Sequence, residues 1–163
     1  MDGPPPSISV MPRTDSAARV IAAPLADVFA ALVDREALLT WLPPKEMTAR
    51  FERFDPSPGG SYRLILTYIN PSGAPGKTTA DVDIIEARYV DIVPDVRVVQ
   101  AVDFVSDDPA FAGTMTMIWD VSAIDGGTKV VITAEDVPDG IPAQDHATGL
   151  ASSLANLAEY LER

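Results

Sequence analysis

The chain has 163 residues, which fits one domain with a real hydrophobic core. Its 24 acidic and 12 basic residues give a net charge of -12, and such a surface repels nucleic-acid backbones and anionic lipid headgroups. The absence of cysteine excludes disulfides, thiolate catalysis, iron–sulfur clusters and cysteine-ligated zinc, and a single histidine, His146, argues against other zinc or iron sites. We therefore expect no cofactor, no metal, no nucleic-acid partner and no membrane partner.

The start of the chain shows neither a basic segment followed by an apolar stretch nor any apolar run long enough to cross a bilayer. We therefore expect a cytoplasmic protein. The first residues, "MDGPPPSISVMP", are rich in proline and lack periodicity. They predict a flexible N-terminal arm over residues 1–13, followed by one domain over 14–163.

A strand followed by two short helices is predicted next. "TDSAARVIAAP" (14–24) is typical of a strand, and Pro24 then opens a helical segment. Its apolar residues recur at helical spacing: Leu25, Val28, Phe29 and Leu32. Asp34 is placed to cap a second helix that carries Leu38, Leu39 and Trp41 and that ends before Pro43 and Pro44.

Six strand-like segments come after the helices, each bounded by turn residues. They span 48–54, 61–69, 77–90, 95–105, 113–124 and 128–137. "DGG" at 125–127 predicts a hairpin between the last two. In the last segment Val130, Ile132 and Ala134 alternate with more polar residues, as expected of an antiparallel sheet covered on one side.

"SGAPGKTT" (72–79) contains Gly76-Lys77-Thr78, the end of a phosphate-binding P-loop. The complete motif needs a glycine five positions earlier and a helix directly after it. The chain has Pro71 at that earlier position, and a strand-like segment follows. We therefore interpret "NPSGAPG" as the tip of a hairpin, and expect no nucleotide site.

The last segment predicts a long helix that starts near Pro142. Leu150, Leu154, Leu157 and Leu161 form one apolar stripe along it. Because the first two helices are too short to cover this stripe, only the concave face of a curved sheet can bury it. The predicted fold is α+β: a curved antiparallel sheet, two short helices and a long C-terminal helix.

This order of elements resembles the helix-grip or START-like superfamily (SRPBCC, Bet v 1-like). Within it, the chain is most similar to the group named for the C-terminal domain of the activator of Hsp90 ATPase. The likeness covers roughly residues 14–162 and is carried by four segments: "VIAAPLADVFAALVDREALLTWLPP" (20–44), "FDPSPGGSYRLIL" (54–66), "DGGTKVVIT" (125–133) and "HATGLASSLANLAEYLE" (146–162).

The resemblance implies seven antiparallel strands gripping the C-terminal helix, and a cavity between them that in many relatives holds an apolar or amphipathic small molecule. It does not imply an ATPase. The chain departs from the pattern where bacterial members often have tryptophan directly after the glycine of the tail, since here Leu150 follows Gly149.

Several strand faces are candidates for the wall of such a cavity. Tyr62, Leu64, Leu66 and Tyr68 share one face, with phenols at both ends. Met115, Met117 and Trp119 form a second stripe, and Gln100 interrupts the apolar set Val98, Val102 and Phe104. A pocket with a few polar groups in an apolar wall is typical of a small-molecule site, although the same faces would also suit a plain core. A buried Gln100 amide needs partners, which makes it the most informative candidate.

His146 and Trp41 each allow two interpretations. His146, one turn before Leu150, could serve as an acid, a base or a hydrogen-bond partner of a ligand. Because it has no obvious orienting partner, a partly exposed first-turn residue is the simpler interpretation. Trp41 suits either a packing anchor or the rim of a cavity. The predicted ligand set also contains Leu150 and Leu154 of the last helix.

The acidic clusters, Asp107-Asp108 and Asp136 through Asp145, are interpreted as solvated turn residues. The leading functional hypothesis is a protein that binds a small apolar or amphipathic molecule, without established catalysis. The alternatives are a cyclase- or dehydratase-like enzyme that uses His146, Tyr62 or Tyr68 as proton donors, and a protein-interaction module associated with chaperones. A homodimer is compatible with all three.

Overall fold

The computed structural model describes residues 13–43, 46–69, 82–104, 113–138 and 140–163. Residues 1–12 of the predicted arm, the predicted hairpin tip with Lys77 and Thr78, and the acidic pair Asp107-Asp108 lie outside the described residues. Within the described ranges, no helix combines the length and the apolar character that crossing a bilayer requires.

The described residues form seven strands and three helices, which follow one another in the predicted order. The helices are α1 (Leu25–Val33), α2 (Arg35–Trp41) and α3 (Ala143–Glu162). The strands are β1 (Thr14–Ile21), β2 (Met47–Phe54), β3 (Ser61–Tyr68), β4 (Val82–Val93), β5 (Arg97–Phe104), β6 (Gly113–Ile124) and β7 (Gly127–Glu135). The α+β prediction is confirmed.

The strands form one antiparallel sheet in the order β1-β7-β6-β5-β4-β3-β2. All neighbours except β1 and β7 are consecutive in sequence, so hairpin-type connections build most of the sheet. The first strand instead pairs with the last, with Asp15 opposite Ala134 and Ile21 opposite Thr128. The sequence did not indicate this long-range pairing, because alternation specifies the face of a strand and not its neighbour.

Alternation correctly predicted the faces of β7. Val130, Ile132 and Ala134 are at most 1% exposed, while the residues between them are half-buried or exposed. In β4 the pattern breaks because a bulge lies between Tyr89 and Asp91. The bulge leaves Val90 exposed, and β4 continues to Val93, beyond the predicted end at residue 90.

The helix ends follow the capping residues of the sequence. The Ala37 N–H donates to the Asp34 carboxylate at 2.8 Å, which confirms Asp34 as the cap of α2. Pro24 and Pro142 directly precede α1 and α3. The N–H groups at the start of a helix have no partner within it, so a proline there, which lacks an N–H, costs no hydrogen bond. Its φ also suits the start of a helix.

The core lies between α3 and the covered face of the sheet. Leu150, Leu154 and Leu157 are buried as the stripe predicted, and Leu161 is half-buried at the end of the helix. They pack in one cluster with residues of α1, α2 and the sheet, among them Val28, Trp41, Leu64, Trp119 and Ile132. At the C-terminal end of α3, the Glu162 carboxylate accepts a hydrogen bond of 2.9 Å from the Ala22 N–H, just after β1. The helix is thus fixed to the sheet along its length.

Candidate functional site

A cavity of about 950 Å³ lies between the sheet and α3. Strands β3 to β7 supply one wall: Tyr62, Leu64, Leu66, Ile85, Gln100, Val102, Met115, Met117, Trp119 and Ile132. The helical wall consists of His146, Gly149, Leu150, Ser152, Ser153 and Asn156. A largely apolar wall with a few polar groups and a volume in this range is typical of small-molecule sites.

Most residues of the predicted ligand set lie in this wall, on strands or on α3. Those that line the cavity are Tyr62, Leu64, Leu66, Gln100, Val102, Met117, Trp119, His146 and Leu150. The sheet brings them together because their strands are neighbours in the order β6-β5-β4-β3. Their alternation places them on the side that α3 covers.

Trp41 lies behind the wall. Its side chain is buried, its Nε1–H donates to the Ala31 carbonyl oxygen at 2.9 Å, and its ring meets Trp119 edge-on with centroids 5.6 Å apart. Trp119 is the member of this pair that reaches the cavity. Of the two interpretations of Trp41, the structure favours the packing anchor between the helical pair and the sheet.

Tyr68, Val98 and Leu154 are also outside the wall, for two different reasons. Tyr68 is near the end of β3, is 38% exposed and pairs with Met47 of the edge strand β2. Val98 and Leu154 face the core and are fully enclosed by it. The phenol of Tyr68 is therefore not a polar group of this cavity.

Gln100 faces two buried phenols at one end of the cavity. Gln100 is buried, and the rings of Tyr62 and Tyr89 lie 5.9 Å apart between centroids. The sequence pointed to Gln100 and Tyr62 but not to Tyr89, which is opposite Gln100 in the ladder between β4 and β5. Tyr89 shares the covered face of β4 with Ile85 and Ala87, and the bulge comes only after it, so alternation along β4 was a signal that could have identified it.

Burial keeps both phenols protonated. Loss of solvation raises the pKa of Tyr62 to about 12, against the opposing effect of a hydrogen bond with Gln100. Burial also raises the pKa of Tyr89, and the neighbouring Tyr62 adds to that rise while Gln100 opposes it. The Tyr89 hydroxyl nevertheless reaches no partner in hydrogen-bond geometry within the described ranges. At neutral pH the pair supplies neutral donors and no base.

His146 has a carboxylate partner that the sequence did not reveal. Its Nδ1 lies 2.7 Å from Oδ2 of Asp15, and both side chains are nearly buried, with 13% and 12% exposed. The same Oδ2 accepts a hydrogen bond of 3.1 Å from Nη2 of Arg13. The simpler interpretation of His146 assumed that it has no orienting partner. On that point it is wrong, because Asp15 is such a partner.

Asp15 is held in its ionised form. Burial raises its pKa, but the hydrogen bonds from His146 and Arg13, together with the charges of these two residues, outweigh burial and leave the pKa below its ordinary value. An ionised carboxylate can only accept hydrogen bonds, so the His146 Nδ1 must donate. The imidazole therefore has a fixed orientation, with Nε2 as its other nitrogen.

These two polar regions belong to one row across the sheet. Asp15, Ala134, Met117, Gln100 and Tyr89 are successive partners on β1, β7, β6, β5 and β4. Since neighbouring strands are about 4.8 Å apart, Asp15 and Gln100 are separated by roughly 14 Å along the sheet. The residues between them in the row, Ala134 and Met117, are apolar. The cavity thus has polar groups near two ends and an apolar middle.

Sequence reasoning missed the small and polar residues of α3 that line the cavity. Gly149, Ser153 and Asn156 follow His146 at positions i+3, i+7 and i+10, which places them on one helix face beside the leucine stripe. This spacing was visible in the sequence. It was overlooked because small polar residues do not form an apolar stripe.

The charged residues that contribute to the lining are Arg63, Glu86 and Asp103. They are compensated: Arg63 pairs with Glu86, and Asp103 pairs with Arg88 at 3.2 Å. The lining therefore adds no unpaired charge from the sheet. Within the described residues, no group of three or more histidine, aspartate or glutamate side chains is arranged to hold a metal ion.

The sequence profile of the family described as "Activator of Hsp90 ATPase homolog 1-like protein" matches residues 22–162. No curated protein matches the sequence. The matched segment includes every helix and all strands but the first, so it contains the whole wall of the cavity.

Solved bacterial structures share the fold over nearly the whole chain. A crystal structure of a protein from Chromobacterium violaceum superimposes with a TM-score of 0.78 at 29% identity, over 92% of this chain and 97% of that one. A structure from Rhizobium leguminosarum gives a TM-score of 0.72 at 26% identity, over 93% and 95%. The solution structure of the AHSA1-like protein from Aeromonas hydrophila gives 0.73 at 16% identity, over 92% of both chains, which shows a common fold alone.

Proposed function

This chain belongs to the Activator of Hsp90 ATPase homolog 1-like family, and we propose that it binds one small apolar or amphipathic molecule in the cavity between the sheet and α3. The observation that supports the proposal best is the cavity itself. Its volume of about 950 Å³ is far larger than the voids of a packed core.

The composition of the wall favours a ligand with an apolar body. Leu64, Leu66, Val102, Met117 and Trp119 offer apolar and aromatic surface. Methionine adapts to ligands of irregular shape. Burying the apolar surface of such a ligand contributes roughly 25 cal/mol per Å² removed from water.

The polar residues of the wall favour a ligand that also carries hydrogen-bonding groups. The Gln100 amide lies near one end of the cavity, and the His146 imidazole lines it from α3. With a net charge of -12, the protein repels anions at long range. A neutral amphipathic molecule fits these conditions best.

A neutral fluorescent probe tests the proposal. N-phenyl-1-naphthylamine emits strongly in apolar surroundings and carries no charge that the acidic surface would repel. We expect saturable binding of one probe molecule per chain. The natural ligand, once identified, should compete with the probe and displace it from the same site.

Gly149 provides a matched pair of variants for this test. A Cβ at this position meets no atom within 4 Å, and the residue lines the cavity. Gly149→Phe should occupy part of the cavity and weaken probe binding at least about tenfold, whereas Gly149→Ala changes the helix in the same way without filling it and should bind as the wild type does. Equal affinities of the two variants, with both folded, would place the probe elsewhere and contradict the proposal.

A further inference from the structure

We propose that Nε2 of His146 is a hydrogen-bond acceptor of the cavity, with the tautomer and orientation of the imidazole set by Asp15, and that the ligand presents a weakly acidic hydroxyl group, such as that of a phenol, to it. This inference rests on the proposed function, because it names the chemical class of the molecule that the cavity holds.

Asp15 fixes the orientation of the His146 imidazole. The Asp15 Oδ2 lies 2.7 Å from Nδ1, and an ionised carboxylate cannot donate a proton. In the neutral imidazole the single proton must therefore be on Nδ1, and Nε2 carries the lone pair. A carboxylate behind a histidine fixes the tautomer in this way, whatever the histidine then binds.

The second imidazole nitrogen, Nε2, is accessible from the cavity. The imidazole lines the cavity, and its Nδ1 is already engaged by Asp15. Within the described parts of the chain, Nε2 makes no hydrogen bond of its own. The lone pair is thus available to a molecule in the cavity, and the group that satisfies it is a hydrogen-bond donor.

The charged groups around the pair of Asp15 and His146, here called the dyad, are compensated or exposed. Arg13 balances the charge of Asp15 at 3.1 Å, so the imidazole does not face an uncompensated carboxylate. Asp145 is its exposed neighbour on α3, and Ala134 and Met117, next in the row across the sheet, are uncharged. The charged residues of the opposite wall are paired with one another: Arg63, Glu86, Arg88 and Asp103.

A hydroxyl donor fits this site better than an amine or a carboxylate. An amine that arrives protonated would lose its solvation in an apolar cavity. A carboxylate has no proton to donate at neutral pH, and it is repelled by the acidic surface. A neutral hydroxyl loses little on entry and is satisfied by Nε2, and a phenolic hydroxyl is the more acidic and stronger donor.

The experiment compares 2-naphthol with 2-methoxynaphthalene, which differ only in the donor hydrogen and one methyl group. We expect the wild type to bind 2-naphthol about tenfold more tightly, which is the typical effect of one hydrogen bond.

Three variants separate positioning from mere structure. His146→Phe should abolish the preference and still bind the ether. Asp15→Asn should also abolish or reverse it, since an amide can donate to Nδ1 and so move the imidazole proton to Nε2. Asp145→Asn removes the same charge one residue from His146 and should keep the preference. Circular dichroism and thermal unfolding establish that each variant is folded.

The outcomes distinguish the two proposals. Binding of the ether by the wild type with no preference for 2-naphthol would overturn the role of the dyad and leave the proposed function standing. A preference that survives in both folded His146→Phe and Asp15→Asn would also overturn it, because the hydroxyl would then have another partner. Failure of both naphthalenes and of the neutral probe to bind would overturn the proposed function and, with it, this inference.

Discussion

Trp41 and Trp119 meet edge-to-face, with ring centroids 5.6 Å apart and an angle of 76° between their planes. Trp41 comes from α2 and Trp119 from the middle of β6. Only Trp119 lines the cavity. The contact therefore supports the cavity wall from behind, and the short helical pair stabilises a surface that it does not itself form.

Replacing Trp41 by phenylalanine should lower the free energy of unfolding by about 2 kcal/mol. The smaller ring leaves unfilled volume in the core, and the Ala31 carbonyl oxygen loses the buried hydrogen bond from the indole. Urea unfolding followed by circular dichroism measures the change. Val90→Thr is the control, since Val90 is exposed on β4 and should change stability by less than about 0.5 kcal/mol. A Trp41→Phe variant as stable as this control would show that the anchor is dispensable.

Two glycines should respond to alanine in opposite directions. A Cβ at Gly127 would lie 2.2 Å from the Ile21 carbonyl oxygen, at the point where β7 passes the end of β1. Because the obstacle is backbone, relief requires the two strands to move apart, and we expect Gly127→Ala to cost about 2 kcal/mol or more.

Gly149→Ala should instead stabilise the protein by about 0.5–1 kcal/mol. The site lies inside a helix, where glycine loses more conformational freedom on folding than alanine does, and the added Cβ meets open space. Melting temperatures of both variants, measured side by side, decide the matter. A stabilised Gly127→Ala variant would mean that β1 ends further from β7 than the structure places it.

The buried phenols predict a loss of stability at alkaline pH. Tyr62 has an ordinary pKa of 10.0 that the fold raises to about 12. Between these values the unfolded chain has released the proton and the folded protein still holds it. The contribution of the Tyr62 phenol to the free energy of unfolding is therefore complete below about pH 10 and is lost as the pH rises toward 12. The free energy of unfolding should fall across this window.

Tyr62→Phe tests this assignment. The variant has no proton to release at this position, so its stability should fall less steeply above pH 10 than that of the wild type. Urea unfolding at several alkaline pH values gives the slope, and the absorbance of the phenolate gives the ionisation directly. Identical slopes in the two proteins would show that Tyr62 ionises normally in the folded state.

Local patterns predicted the elements of the fold well. Proline and aspartate at helix starts, alternation in β7 and the leucine stripe of α3 act over a few residues, and each was found in the structure. The departures, such as the extension of β4 to Val93, occur where a bulge disturbs the alternation.

The candidate site was predicted less completely, because its decisive contact is not local. Asp15 and His146 are 131 positions apart, and no periodicity relates them. The available signal was that alternation in β1 places Asp15 on the same face as Ala17 and Ile21. That face turns toward α3 only because β1 pairs with β7, a pairing that strand patterns do not specify.

The position of β1 also determines when the site can exist during synthesis. Within the described sheet, β1 has β7 as its neighbour, so the first strand must wait for six others to leave the ribosome before it can pair. His146 follows on α3, after all seven strands. A nascent chain therefore exposes the future cavity wall to the cell before the first strand and the last helix can complete it.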